Sequence, residues 1–163
     1  MRSRHPIHLV ATASSLVVWM LTALTACTSE QASTGRTDLA TRYAAAWSSQ
    51  SPDSVASFYA EDGSLTVNAG APLVGRAAIR ATAEGFMTAF PDMVLVMDSV
   101  IGEGDHAVFH WTWTGTNTGP GGTGRAVRIS GYEEWTLDAD GLIAESKGHY
   151  DEAEYQRQMA GEQ

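Results

Sequence analysis

One acidic side chain on an otherwise apolar strand face is the best candidate for chemistry in this sequence. Glu133 follows Val127 and Ile129 at the two-residue period of a strand, and Trp135 and Leu137 continue the same face. Burial of a carboxylate disfavours its charged form and raises its pKa toward the range useful for general acid–base catalysis. Glu133 is therefore the candidate catalytic acid or base.

Two structural alternatives for Glu133 also fit the pattern. The carboxylate could pair with an arginine and merely bridge sheet to helix. The candidate partners are Arg42, Arg80 and Arg125. A bulge after Gly131 could instead exchange the faces of Glu133 and Glu134.

Aromatic residues share the predicted inner face with Glu133. Bulky rings at period two most often form a core, and in a strongly curved sheet the core face is also the wall of a pocket. Two tyrosines of the predicted helices carry hydroxyls that could reach that pocket. The candidate ligand-binding residues are Phe109, Trp111, Trp113, Trp135, Tyr43, Tyr59 and Phe86.

The spacing of histidines does not favour a metal site. His106 and His110 lie four residues apart on one predicted strand, roughly 13 Å, which is too far to share an ion. His149 and Asp151 lie two residues apart and could form either a hydrogen-bonded dyad at the pocket mouth or an exposed edge pair. We predict no metal and no cofactor.

The spacing of hydrophobic residues predicts mainly helices in the first half of the domain and mainly strands in the second half. Three helices are predicted at residues 37–49, at about 51–59 and at about 75–90, with a short strand at 64–68 after a stop at Asp62-Gly63. Period-two alternation then predicts strands at 93–102, 107–118 and 125–137, a fourth strand ending near residue 151, and a closing helix at 152–159. This order indicates an α+β fold in which a cone-shaped, strongly curved antiparallel or mixed sheet packs on the N-terminal helices.

Composition limits the classes of partner. The chain has 163 residues, a formal net charge of −9 and a single cysteine, Cys27. An acidic chain without clustered basic residues is a poor ligand for nucleic acid, so no nucleic-acid partner is predicted. One cysteine excludes both an internal disulfide and a multi-cysteine metal site.

The N-terminal residues are typical of an export signal. A weakly basic start, with Arg2 and Arg4, precedes an uncharged stretch at residues 9–26. The stretch could also be a retained membrane anchor. Residues 24–27 (LTAC) resemble the lipobox of bacterial lipoproteins, which implies lipidation of Cys27; the alternative is an ordinary thiol beside a conventional cleavage site. We predict a signal peptide at 1–26, a polar tether at 27–36, a domain at 37–160, and an extracytoplasmic protein that meets the membrane only through its lipid.

Several segments together resemble the SnoaL-like polyketide cyclase family of the nuclear transport factor 2-like, or cystatin-like, superfamily. They are residues 43–47 (YAAAW), 58–62 (FYAED), 75–79 (GRAAI), 113–119 (WTGTNTG), 124–125 (GR), 131–135 (GYEEW) and 140–145 (DGLIAE). The resemblance covers roughly residues 39–159. It implies that the family's two acid–base positions fall here on Asn117 and Glu133. Asn117 cannot transfer a proton but could hydrogen-bond a ligand carbonyl.

Two functions from different classes follow. The first is a cofactor-free acid–base enzyme (a cyclase, isomerase or epoxide-opening catalyst) acting on a small hydrophobic carbonyl or epoxide compound. The second is a non-catalytic module at the cell surface that binds a small hydrophobic ligand or another protein. The resemblance also implies a homodimer through the outer sheet face, whose row of polar residues comprises His110, Thr112, Thr114, Arg128, Ser130 and Tyr132.

Overall fold

The computed structural model describes residues 15–162, and for residues 15–30 it describes the backbone alone. The chain divides into two compact units, Met1–Ala32 and Ser33–Gln163. Residues 1–14, the first part of the predicted signal peptide, lie outside the described residues, and so does the side chain of Cys27. The candidate site lies wholly in the second unit.

The first helix, α1 (Ser15–Ser48), begins much earlier than the sequence predicts. No proline lies between Pro6 and Pro52, so nothing in residues 27–36, the predicted tether, breaks a helical backbone. Within the described residues, no helix combines the length and the apolar character that crossing a bilayer takes. The end of α1 packs on the sheet through residues spaced three and four apart, namely Leu39, Ala40, Tyr43, Ala44, Ala46 and Trp47.

The second helix is shorter than predicted. Ser51 caps α2 (Pro52–Ala56) as expected, but Tyr59 already begins strand β1 (Tyr59–Val67). Asp62-Gly63 therefore does not end a helix. It falls in an irregular stretch of β1, where the register with the last strand shifts, and a Cβ on Gly63 would lie 2.7 Å from the carbonyl oxygen of Ile143.

The remaining elements follow the predicted order, with one addition. A two-residue strand, β2 (Leu73–Val74), was not predicted and pairs with β1. The others are α3 (Arg76–Ala89), β3 (Val94–Glu103), β4 (His106–Thr116), β5 (Ala126–Leu137), β6 (Ile143–Tyr150) and α4 (Glu152–Ala160).

The strands form one mixed sheet in the order β2-β1-β6-β5-β4-β3. All neighbours are antiparallel except β1 and β6, which run parallel. The pairing of β4 with β5 continues without a shift, so Phe109 faces Glu133 and Trp111 faces Gly131 across the two strands. The alternative of a bulge after Gly131 is therefore not found, and Glu133 and Glu134 keep the faces that alternation assigned to them.

One face of the sheet carries the core. Alternate residues of β4 and β5 are buried beneath the helices, as the period-two pattern predicted. Helix α4 is held against β5 by Gln158. Its side-chain amide accepts the backbone N–H of Arg128 and donates to the carbonyl of the same residue. The α+β class with a sheet packed on helices is thus confirmed.

Candidate functional site

Glu133 lies in the middle of β5 on the helix-covered face and is 7% exposed. Its neighbours on the sheet are Phe109 of β4 and Gly148 of β6. The lack of a side chain at Gly148 leaves room beside the carboxyl group: a Cβ there would lie 3.6 Å from Cγ of Glu133.

Three donors hold one oxygen of this carboxyl group. The hydroxyl of Ser146 donates to Oε2 at 2.7 Å, the indole N–H of Trp135 at 2.9 Å and the hydroxyl of Tyr43 at 3.1 Å. The Tyr59 hydroxyl lies 2.8 Å from that of Tyr43 and donates to it, since the single proton of Tyr43 is already used. Among the described residues, no side chain donates to Oε1.

The alternative in which Glu133 pairs with an arginine is not found, since its side-chain partners in the described residues are Tyr43, Trp135 and Ser146. Arg42 pairs with Asp38 on α1, and Arg80 pairs with Asp53 and Glu84. The hydrogen bonds to Oε2 are instead the compensation for burying this carboxyl group.

Burial dominates the electrostatics of the cluster. It raises the pKa of Glu133, and the hydrogen bonds from Trp135, Ser146 and Tyr43 oppose that shift without cancelling it. Burial, and then the nearby charge of Glu133, raise the pKa values of Tyr43 and Tyr59 well above their usual range. Both phenols therefore stay protonated and serve as donors, and Glu133 is the group that titrates.

The carboxyl group borders a cavity of ≈ 90 Å³ that opens to the surface. Among its lining residues Glu133 is the only charged one, and the rest are mostly apolar or aromatic. The lining comprises Trp47, Leu65, Val67, Phe86, Met93, Leu95, Trp111, Trp113, Glu133, Gly148, Tyr150 and Tyr155.

Three indoles of this wall turn carbon, and not N–H, toward the cavity. The indole nitrogens of Trp47, Trp111 and Trp113 are inaccessible to solvent and make no hydrogen bond. The Trp47 N–H lies close enough to the Tyr43 hydroxyl to oppose the rise in its pKa, but without the geometry of a hydrogen bond. A ligand in the cavity thus meets aromatic carbon from these rings.

The predicted ligand-binding residues separate into two groups. Trp111, Trp113 and Phe86 line the cavity. The other four lie outside the lining and behind Glu133. There the Phe109 and Trp135 rings stack at 4.8 Å, and Tyr43 meets both edge-on at 5.6 and 5.1 Å. Tyr59 belongs to this second group through its hydrogen bond to Tyr43.

Asn117 is not brought to the cavity. Its amide donates to the carbonyl of Ala89 at the end of α3, and its Oδ1 accepts the N–H of Thr123 at 2.7 Å. Asn117 therefore anchors the loop between β4 and β5 to α3, and its polar atoms are engaged away from Glu133.

Sequence reasoning missed part of the site. Trp47 belongs to the first predicted helix, but nothing in its local sequence shows that its side chain lies toward β3 and β4. Ser146 and Gly148 lie on the inner face of β6, and the alternation of that strand could have indicated them once its register with β5 was known. Tyr155 reaches the cavity from α4, where it lies 6.1 Å from the ring of Trp113.

The two residues left open in the sequence separate as well. His149 lies 3.3 Å from Glu134 on the outer face, and Asp151 caps α4 by accepting the N–H of Glu154. They form no dyad. Across the part of the chain that the structure describes, no three His, Cys, Asp or Glu side chains come together so as to hold a metal ion.

Comparison with known families now decides where the chain belongs. The profile of the SnoaL-like domain matches residues 40–146, more than half of the chain. The protein is a member of the SnoaL-like family. No curated protein matches this SnoaL-like chain.

Solved structures share the fold of this SnoaL-like domain. A protein with a ketosteroid isomerase-like fold from Catenulispora acidiphila, in complex with trimethylamine, is 19% identical with a TM-score of 0.67. The match covers 75% of this chain and 92% of that protein. A proposed SnoaL-like polyketide cyclase from Jannaschia sp. is 22% identical with a TM-score of 0.62, covering 69% and 80%. AclR, a proposed hydroxylase from Streptomyces galilaeus, is 22% identical with a TM-score of 0.67, covering 79% and 83%. At these identities the likeness establishes the fold alone.

Proposed function

We propose that this protein is an exported, lipid-anchored SnoaL-like domain that binds a small, largely apolar molecule in the Glu133 cavity and moves a proton on it. The observation that carries the proposal is the state of the carboxyl group. Three donors hold Oε2, Oε1 has no donor among the described residues, and the group borders an apolar cavity. Such a group is oriented, has a raised pKa and can exchange a proton with a ligand atom.

The cavity limits the size of what it can enclose. An apolar cavity of ~150 Å³ holds the six carbons of benzene, so ≈ 90 Å³ encloses about four heavy atoms. The trimethylamine bound by the Catenulispora protein is a molecule of this size. Because the cavity opens to the surface, a longer ligand would place its reacting end beside Glu133 and extend outward.

Hydrogen–deuterium exchange of acetone and butanone, followed by NMR, tests the proton transfer. Glu133 as general base should exchange their α-hydrogens faster than buffer does, and Glu133→Gln should abolish the acceleration. Glu134→Gln, the same change on the next residue and the opposite face, is the matched control. Equal exchange by the unchanged protein and Glu133→Gln would rule out proton transfer on small ketones.

A non-catalytic ligand-binding module is the second candidate. Two observations favour it. Apart from Tyr150 and Tyr155, Glu133 is the only acid–base group in the described lining. Asn117, the second expected site residue, is held in its loop by hydrogen bonds and does not reach the cavity. A ligand that co-purifies with the protein and is released unchanged, identified by mass spectrometry, would support this candidate.

The outer sheet face supports the proposal of a homodimer. Val94 and Val96 are 45% and 52% exposed there, beside the predicted polar row of β4 and β5. Two apolar side chains on a largely polar sheet face suit pairing with a second copy. Sedimentation of the unchanged protein and of Val96→Lys tests it, since a charge at this position should favour the monomer.

A further inference from the structure

The cavity wall offers acceptors and aromatic carbon, but few donors. The Trp47, Trp111 and Trp113 nitrogens are shielded from the cavity, so these rings present only carbon to a ligand. The face of an aromatic ring carries negative charge and attracts cations, whereas its edge does not. A carbonyl or an anion finds no donor in these three rings.

The one charged residue in the described lining of the cavity is acidic. Among the described residues, no lysine or arginine contributes to the lining, whereas Glu133 is part of it. An anionic ligand would meet the Glu133 carboxylate and no counter-charge from the described lining.

We propose that the cavity recognises an alkylated ammonium group, which the aromatic wall surrounds and the Glu133 carboxylate neutralises. A trimethylammonium head has four heavy atoms, the content that ≈ 90 Å³ encloses, and the rest of such a ligand would extend through the opening. The inference rests on the proposed binding cavity and holds whether or not a proton is then transferred. Binding of the cation also replaces part of the hydration that Glu133 loses on burial.

Choline and 3,3-dimethylbutan-1-ol separate cation recognition from apolar binding. The two molecules have the same shape and the same hydroxyl group. They differ only in the central atom of the head group, which is a positively charged nitrogen in choline and a neutral carbon in the alcohol. Calorimetric titration of the full chain should show choline binding at least about tenfold more tightly. Equal or tighter binding of the neutral alcohol would overturn the inference and leave the apolar cavity of the proposed function standing. Failure of choline to bind at all would overturn it too.

Two variants assign the selectivity to residues. Glu133→Gln should lower choline affinity by about tenfold or more and leave the alcohol nearly unchanged, whereas Glu134→Gln should change neither. Tyr155→Leu, on the half-buried closing helix, should lower choline affinity about threefold more than it lowers the affinity for the alcohol. Unchanged choline affinity in Glu133→Gln would contradict the role of its carboxylate.

The pH dependence of the unchanged protein gives a readout that needs no variant. The titratable groups that face Glu133 are the phenols of Tyr43 on α1 and Tyr59 on β1, and the phenols of Tyr150 on β6 and Tyr155 on α4 share its cavity. Burial raises the pKa of all four phenols, so they stay protonated. The sheet neighbours Phe109 and Gly148 do not titrate. Choline affinity should therefore rise with pH as Glu133 ionises, and affinity for the alcohol should not. A flat choline profile between pH 4 and about 8 would count against the inference.

Discussion

Trp135 donates its indole N–H to Oε2 of Glu133 at 2.9 Å although the two residues belong to the same strand and the same face. Neighbours at i and i+2 point the same way, so a long ring two residues on can reach back over the carboxyl group. The strand itself thereby supplies one donor, and the Trp135 ring, stacked on Phe109, shields that side of Glu133 from water.

Glu133→Gln should change how stability depends on pH. Burial raises the folded-state pKa of Glu133 above its ordinary 4.5, so the folded protein holds this proton more tightly than the unfolded chain does. The stabilisation of the folded state by this proton is fully present below pH 4.5, the ordinary pKa, and is lost as the pH rises through the folded-state pKa. The unchanged protein should thus lose stability relative to Glu133→Gln over this window, by at most about 1.4 kcal/mol per pH unit.

Urea unfolding from pH 4 upward measures this difference. In the control variant Glu134→Gln, the free energy of unfolding should depend on pH as it does in the unchanged protein. A constant difference between Glu133→Gln and the unchanged protein would mean that Glu133 has the same pKa in both states.

Ser146→Ala should both destabilise the fold and raise the pKa of Glu133 further. The Ser146 hydroxyl is fully buried and donates to Oε2 at 2.7 Å, an interaction that lowers this pKa. Loss of a donor to a buried charged group costs about 1–3 kcal/mol. An NMR titration of the Glu133 carboxyl carbon reports the pKa, and Ser130→Ala, on the outer face, is the control. A lower pKa in Ser146→Ala would contradict this role.

Gly131→Ala should destabilise the protein because it fills the space that the Trp111 ring occupies. A Cβ at position 131 would lie 2.6 Å from Cζ2 of Trp111 and would also overlap the backbone oxygen of His149. Overpacking of this kind costs about 1–3 kcal/mol. Gly85→Ala is the contrasting change, since a Cβ there meets nothing within 4 Å on the exposed side of α3, and it should stabilise by about 0.5–1 kcal/mol. Thermal unfolding of both variants would show opposite shifts, and a shift in the same direction would refute this assignment.

Cys27→Ala should release the protein from the membrane fraction. Lipid on Cys27 is the proposed attachment, and several acyl chains are enough for stable anchoring. Metabolic labelling with a radioactive fatty acid should mark the unchanged protein and Ser29→Ala, but not Cys27→Ala. Labelling of Cys27→Ala would contradict lipidation at this residue.

Local pattern determined much of this protein before any tertiary contact was known. Alternation in β4 and β5 placed Glu133, Trp111 and Trp113 on one inner face, because strand geometry alone decides which side a residue takes. The family and the α+β order also followed from sequence segments. The second helix was predicted to extend to Tyr59, because tyrosine occurs in both helices and strands. In the structure Tyr59 pairs with Ile143 and belongs to a strand.

Only the tertiary structure decided what Glu133 contacts and what the cavity is. Its donors Tyr43 and Ser146 lie 90 and 13 residues away, and the docking of α1 and the register of β6 bring them together. The same docking separates Trp111 and Trp113, which line the cavity, from Phe109 and Trp135, which fill the core behind it. Period two assigns a residue to a face, but where along that face the helices leave a gap depends on how distant segments pack.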